Sequence, residues 1–171
     1  MSQLPALVLK RAEERVGVRE VRDLVTGKPL NKGNFISTWL KNVGLADGDP
    51  YCVAFVANVI HFVFAENSIP TDWPFGNTPP ARGSTALYQW GKDNGRLLTG
   101  PTDNCVFVLK SRLIPGRFVH TGFVKRVNPD GSAYTVEANT NNSGSVDGDG
   151  VYLKLRTAAD IARMRFLRIE P

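Results

Sequence analysis

The segment from residue 51 to 65 constrains the fold most, because almost every position in it is apolar. Only Asn58, His61 and the thiol of Cys52 interrupt the apolar run. A helix that is apolar on all sides must be buried over most of its surface. The sequence therefore predicts a central helix inside the core, with Cys52 in its first turn.

The hydrophobic period changes about halfway along the chain. Helical spacing in the first half predicts three further helices, which cover the start of the chain to about Gly17, residues 34–42 and residues 84–94. Five alternating β-branched and aromatic runs follow, at 105–110, 117–127, 132–139, 150–156 and 163–169. This order predicts an α+β fold, with helices packed on a mostly antiparallel β-sheet.

Length and charge limit the class of protein. A chain of 171 residues with 42% apolar content predicts a single domain spanning residues 1–171. The net charge of +5 favours an anionic partner, which could be nucleic acid, anionic lipid or an anionic cell-wall polymer. The basic residues are scattered without interleaved aromatic residues, so we expect no nucleic-acid binding. No apolar run reaches the roughly 18 residues of a membrane helix, so we expect no membrane insertion.

The amino-terminal sequence and the cysteine count bear on localisation. The stretch "MSQLPALVLKRAEERVG" lacks the pattern of a signal peptide, because Pro5 and Lys10 interrupt its apolar part. Cys52 and Cys105 both lie in apolar runs and are too few for a disulfide framework. We therefore expect synthesis in the cytoplasm with reduced thiols, and a separate delivery route if the substrate lies outside.

Cys52 is either a packed core residue or a nucleophile, and a nucleophile needs a base. A catalytic cysteine acts as a thiolate, which an imidazole generates and the positive end of a helix stabilises. Of the two histidines, His61 lies nine residues further along the same helix. That spacing is about 13.5 Å of rise and ends on the opposite face, so we interpret His61 as structural. His120 remains as the candidate base.

The strand that contains His120 leads into the turn "VNPDGS". If "NPDG" forms the loop, Val127 pairs with Ser132, and His120 faces Asn139 on the next strand. Glu137 is then a diagonal neighbour at about 7 to 8 Å. Either residue could orient the imidazole, provided that the register does not slip by one residue. A lone strand histidine is more often structural, but a carboxylate in an apolar strand is rarely buried unpaired.

Four segments together resemble a known family: "GVRE", "NKGNFISTWLKNVGL", "DPYCVAFVANVI" and "HTGFVKRVNPDGSAYTVEANTNNSGSVDGDGVYLKLR". They are similar to CHAP domains, the cysteine- and histidine-dependent amidohydrolases and peptidases of the papain-like NlpC/P60 group. The resemblance implies a papain-like CHAP fold with the nucleophile at the start of the central helix. Cys52 matches the nucleophile, His120 matches the base, and Glu137 and Asn139 match the polar residues that orient the base.

The resemblance also implies a function. It is the hydrolysis of an amide bond in bacterial peptidoglycan by a monomer, as an N-acetylmuramoyl-L-alanine amidase or a stem-peptide endopeptidase. A phage lysin or an antibacterial effector would act on the cell wall after release or specialised secretion, an effector together with an immunity or secretion partner. The alternatives are a peptidase or amidase on a soluble substrate, and a non-catalytic CHAP-like binding module. Tyr51 and Val119 depart from the Trp and Gly that commonly precede the two catalytic residues.

Some relatives bind calcium near the nucleophile, and two pairs of acidic residues raise the question here. These pairs are Asp47 with Asp49 and Asp147 with Asp149. Short Asp-Gly clusters are typical of turns, and no cluster has the ligand spacing of a zinc site. The sequence therefore predicts no metal and no cofactor.

Overall fold

The computed structural model describes residues 3–140 and 148–170. Its helices are α1 (Leu4–Glu13), α2 (Asn34–Asn42), α3 (Cys52–Glu66), α4 (Ser84–Asp93) and α5 (Ala158–Ile161). Its strands are β1 (Leu97–Leu98), β2 (Val106–Lys110), β3 (Phe118–Val127), β4 (Ala133–Thr140), β5 (Gly150–Arg156) and β6 (Met164–Leu167). The predicted α+β class is confirmed.

All strand pairs are antiparallel, and the six strands lie in the order β1-β6-β2-β3-β4-β5. Helix α3 packs on this sheet, and the rings of Phe55 and Phe123 meet edge to face at 5.8 Å. Helices α1 and α2 pack against α3, and α4 packs against β2 and β3. The packing of α3 on the sheet thus places the start of α3, from the middle of the chain, next to β3, from its second half.

Helix α3 is buried along most of its length, as its apolar composition predicts. Asn58 is the buried polar residue within it, and its amide is fully engaged. The amide nitrogen donates to the carbonyl oxygens of Ala54 at 2.8 Å and Trp39 at 3.1 Å. The amide oxygen accepts a hydrogen bond from Asn42 at 2.7 Å. These bonds join α3 to α2 and offset the cost of burying a polar side chain.

The hairpin of β3 and β4 has the predicted register over only part of its length. The expected pairing of Val127 with Ser132 is wrong, because Val127 pairs with Ala133. A β-bulge in β3 then shifts the register by one residue, and Phe123 pairs with Val136. That pairing is the one predicted, so the side chains beyond the bulge face the expected side of the sheet.

Some predicted boundaries are wrong at the element ends. The first helix ends at Glu13 and not near Gly17, whose φ of 98° lies in the left-handed region that glycine favours. The sequence analysis also missed β1 and α5, which are too short to show a period. Within the described ranges, none of the helices is long and apolar enough to cross a membrane.

Candidate active site

Cys52 is the first residue of α3 and lines a cleft of about 530 Å³. The thiol therefore lies at the positive end of a helix of 15 residues, where a negative charge is stabilised. The cleft is lined by Pro50, Cys52, Val53, Arg82, Gly83, Ser84, Thr85, Ala86, Arg117, Phe118, Val119 and Asn139.

His120 is fully buried on β3 and lies beside the Cys52 thiol. Burial opposes a charged thiolate, but the polar contact with His120 and the charge of its ring bring the pKa of Cys52 below its usual value. Burial likewise opposes an imidazolium, but the polar contacts with Cys52 and Glu137 raise the pKa of His120 to about 9. Both shifts favour a thiolate–imidazolium pair.

Glu137 holds the other side of the imidazole ring. Its Oε2 atom lies 2.8 Å from His120 Nε2, and both side chains are fully buried. Nε2 therefore faces the carboxylate, which leaves Nδ1 as the ring nitrogen for the thiol. A Cβ atom at Gly122 would lie 3.1 Å from Glu137 Cγ and closer still to two other atoms, so glycine at this position makes room for the carboxylate.

Arg156 and Thr135 fix the Glu137 carboxylate from the neighbouring strand and from its own strand. Arg156 donates to Oε1 through Nε at 2.7 Å and to Oε2 through Nη2 at 2.5 Å. The Thr135 hydroxyl donates to Oε1 at 2.6 Å. Burial opposes the carboxylate charge, but the hydrogen bonds from His120 and Arg156 hold the pKa of Glu137 well below its usual range.

Arg156 was not among the residues predicted from the sequence, although a signal was present. The alternation along β5 places Arg156 on the same face as Tyr152, which pairs with Glu137. A buried carboxylate between two strands requires a cation or several donors, so the basic residues of that face were candidates. The four groups Cys52, His120, Glu137 and Arg156 carry alternating charges that sum to zero when the thiol is ionised.

Two more polar groups lie close enough to the sulfur of Cys52 to act on its charge, and both were missed from the sequence. They are the hydroxyl of Ser84, the first residue of α4, and the backbone N–H of Thr121 on β3. Both lower the pKa of Cys52 in addition to the effect of His120. The thiolate is therefore stabilised by donors from α4 and β3 as well as by the end of its own helix.

Asn139 lies in the same cleft as Cys52, at a bulge of β4 where its φ is 57°. Its backbone N–H hydrogen-bonds the hydroxyl of Tyr51, which in turn donates to Glu20 Oε1 at 2.9 Å. The other oxygen of Glu20 accepts the backbone N–H of Asn31. Glu20 is the last residue of the "GVRE" segment. Through Tyr51, which precedes the nucleophile, it is connected to the bulge that carries Asn139.

The second cysteine and the second histidine lie apart from this arrangement. Cys105 is buried in an apolar cluster with Phe107 and Val124, and burial raises the pKa of its thiol to about 11. His61 stacks on the ring of Phe75, with ring centroids 3.7 Å apart. Both side chains lie outside the site, and the structural role of His61 stays a prediction.

Two of the four acidic residues considered for calcium, Asp49 and Asp149, have other contacts. Asp49 accepts the backbone N–H of Ala46 at 2.9 Å, as in a turn, and Asp149 hydrogen-bonds Arg22 and Tyr152. Asp147 lies outside the described residues. In residues 3–140 and 148–170, no group of three or more His, Cys, Asp or Glu side chains could hold a metal ion. That the protein needs no metal stays a prediction.

The fold and the site together define a class of structure. A cysteine at the start of a buried helix faces a histidine on an antiparallel strand, and a carboxylate on the adjacent strand contacts the far side of the imidazole ring. This is the papain-like arrangement that the sequence resemblance implies.

Comparison with known proteins bears on the fold. No protein-family model matches the sequence, and no curated protein is significantly similar to it. A solved structure of Ly7917 superposes on 95% of this chain with a TM-score of 0.50 and 14% identity. A structure of an N-acetylmuramoyl-L-alanine amidase from Staphylococcus aureus superposes on 72% with a TM-score of 0.49 and 16% identity. The matched parts are 62% and 32% of those two chains, respectively. At such identity the likeness to Ly7917 supports the α+β fold and nothing finer.

Proposed function

We propose that this protein is a cysteine-dependent peptidoglycan hydrolase that cleaves an amide bond. The observation that carries the proposal is the line of contacts from Cys52 through His120 to Glu137 at the wall of an open cleft. A buried ion-pair network that ends at a thiol in a cleft is typical of nucleophilic catalysis. The sequence resemblance to CHAP domains supports peptidoglycan as the substrate.

In the proposed mechanism, the Cys52 thiolate attacks the carbonyl carbon of the scissile amide and forms a C–S bond. The backbone N–H of Cys52, in the first turn of α3, donates to the developing oxyanion. The imidazolium of His120 gives its proton to the amide nitrogen, the C–N bond breaks, and the amine leaves. A thioester on Cys52 remains.

Water completes the reaction. His120, now neutral, takes a proton from the water that attacks the thioester, and the second tetrahedral intermediate releases a carboxylic acid and the thiolate. Glu137 stabilises the imidazolium in both steps, and Arg156 keeps the carboxylate ionised and in place. Asn139, which lines the cleft, contacts the substrate or supports the oxyanion.

Digestion of purified peptidoglycan tests the proposal. Wild-type protein is incubated with the polymer, and the soluble fragments are identified by mass spectrometry. Free stem peptides would indicate an amidase, and new amino termini within the peptide would indicate an endopeptidase. Failure of the folded wild-type protein to release any fragment would refute the proposed function and favour a soluble substrate or a binding module.

A further inference from the structure

The charged side chains that line the cleft beside Cys52 are all positive. Two of its lining residues, Arg82 and Arg117, are cationic and exposed, and none of the described residues that line it is acidic. Several other arginines of the protein form ion pairs with carboxylates, as Arg156 does with Glu137 and Arg112 does with Asp160 at 3.6 Å. Neither cleft arginine forms such an ion pair within residues 3–140 and 148–170.

The wall that carries the two arginines is fixed relative to the nucleophile. The Thr85 hydroxyl donates to the Phe118 carbonyl oxygen at 3.1 Å and accepts the Phe118 N–H at 2.9 Å. These bonds join the start of α4 to the start of β3. Arg117 immediately precedes Phe118, and Arg82 lies two residues before Ser84, which lines the cleft together with Cys52.

Arg82 is also held by a neutral partner. Its Nη1 atom donates to Asn77 Oδ1 at 2.7 Å, which orients the guanidinium and leaves its charge uncompensated. A guanidinium has five N–H donors, so this bond leaves further donors for a ligand. Guanidinium groups match the two oxygens of a carboxylate with paired hydrogen bonds.

We propose that Arg82 and Arg117 form a subsite for a free carboxylate that flanks the scissile amide of the substrate. The inference rests on the proposed hydrolase function and names its substrate class as anionic peptides. A cleft of about 530 Å³ is in the size range of small-ligand pockets, so only a short segment of the substrate contacts both the arginines and Cys52. Peptides in which that carboxylate is a carboxamide are poorer substrates.

Chemical amidation of the substrate tests this subsite. Purified peptidoglycan is treated with a carbodiimide and ammonium chloride, which converts carboxylates into carboxamides and leaves phosphates charged. Initial rates of fragment release are measured on native and amidated polymer for the wild type, the double variant Arg82→Gln/Arg117→Gln and the control Arg112→Gln. Arg112 is exposed and outside the cleft, so the control also loses a surface arginine without altering the subsite.

We expect the wild type and Arg112→Gln to prefer native polymer by about three- to tenfold, the size expected of two exposed charge contacts. The double variant should hydrolyse both materials at similar rates while it unfolds at the same temperature as the wild type. Equal wild-type rates on the two materials, or an unchanged preference in the double variant, would overturn the subsite. No release from either material would instead refute the proposed function.

Discussion

Cys52 and Cys105 have opposite electrostatic environments, although both lie in apolar stretches of the sequence. Cys52 lies near an imidazole, a hydroxyl and a backbone N–H, which together lower the pKa of its thiol against the effect of burial. Cys105 lies among apolar side chains, and burial raises its pKa to about 11. Since the thiolate is the nucleophile, only the first thiol is suited to catalysis.

Alanine substitution should separate the two thiols. Cys52→Ala should abolish fragment release from peptidoglycan and leave the fold intact, because the thiol is at the edge of a cleft. Cys105→Ala should keep most of the activity and lose some stability, since it removes a packed side chain. Rates and thermal unfolding of both variants check this, and wild-type activity in Cys52→Ala would end the assignment of the nucleophile.

Glu137 and Asn139 should differ in their effect on the rate. The Glu137 carboxylate contacts the ring and stabilises its charge, so Glu137→Gln should lower the rate by roughly 10²- to 10⁴-fold. Asn139→Ala should lower it less. Steady-state rates, with circular dichroism to confirm folding, check the order. A more damaging Asn139→Ala, with Glu137→Gln near the wild type, would show that the amide and not the carboxylate is the third catalytic member.

Some of the individual site residues could be predicted from the sequence, and others could not. Cys52, His120 and Glu137 stand out because a thiol at a helix start and a carboxylate in an apolar strand are both unusual. Arg156 and Ser84 do not, because their contacts depend on how β5 and α4 pack. The hydrophobic period of a segment predicts which face of a helix or strand is buried. It does not predict which residues of two elements distant in sequence will be in contact.

Strands β3, β4 and β5 carry the charged part of the site. His120 is on β3, Glu137 on β4 and Arg156 on β5, so three adjacent strands align three charges across the sheet. The long elements were predictable because each spans several periods of its hydrophobic pattern. The β-bulges were not, because a one-residue insertion in a ladder depends on the partner strand.

Removal of Arg156 tests this alignment. Arg156→Met leaves a buried carboxylate without its cation, which costs about 3–5 kcal/mol when a buried pair is broken. We expect a lower unfolding temperature and a large loss of rate. Arg165→Met on β6, where the arginine hydrogen-bonds the carbonyl of Met164, is the matched control and should retain activity. Equal effects of the two substitutions would show that Arg156 has no special role.

At the scale of the whole molecule, the helical layer supplies the nucleophile and the sheet supplies the base and its partners. The cleft lies where α3, α4 and β3 meet. The sequence predicts the two layers and their order, but not which side of the cleft carries positive charge. Arg82 and Arg117 are far apart in sequence, and only the packing of α4 against β3 brings both to the cleft.

Chelation should leave the proposed hydrolase activity intact. Of the acidic residues considered as calcium ligands, Asp49 is engaged in a turn and Asp149 pairs with Arg22. Fragment release should therefore be the same with and without EDTA. Loss of turnover in EDTA that calcium restores would overturn this prediction and place a cation near the site.

The proposed mechanism requires Cys52 to exist as a thiolate paired with the imidazolium of His120. The rate at which iodoacetamide alkylates Cys52 reports its ionisation directly. It is measured as a function of pH by mass spectrometry in a Cys105→Ala background. We expect the thiol to react with a pKa below the ordinary thiol value of about 8.5. We also expect a second change in rate near pH 9, where His120 loses its proton. Glu137→Gln should move that second change to lower pH, because the carboxylate raises the pKa of the imidazole. A single titration at or above pH 8.5 in both proteins would contradict the account.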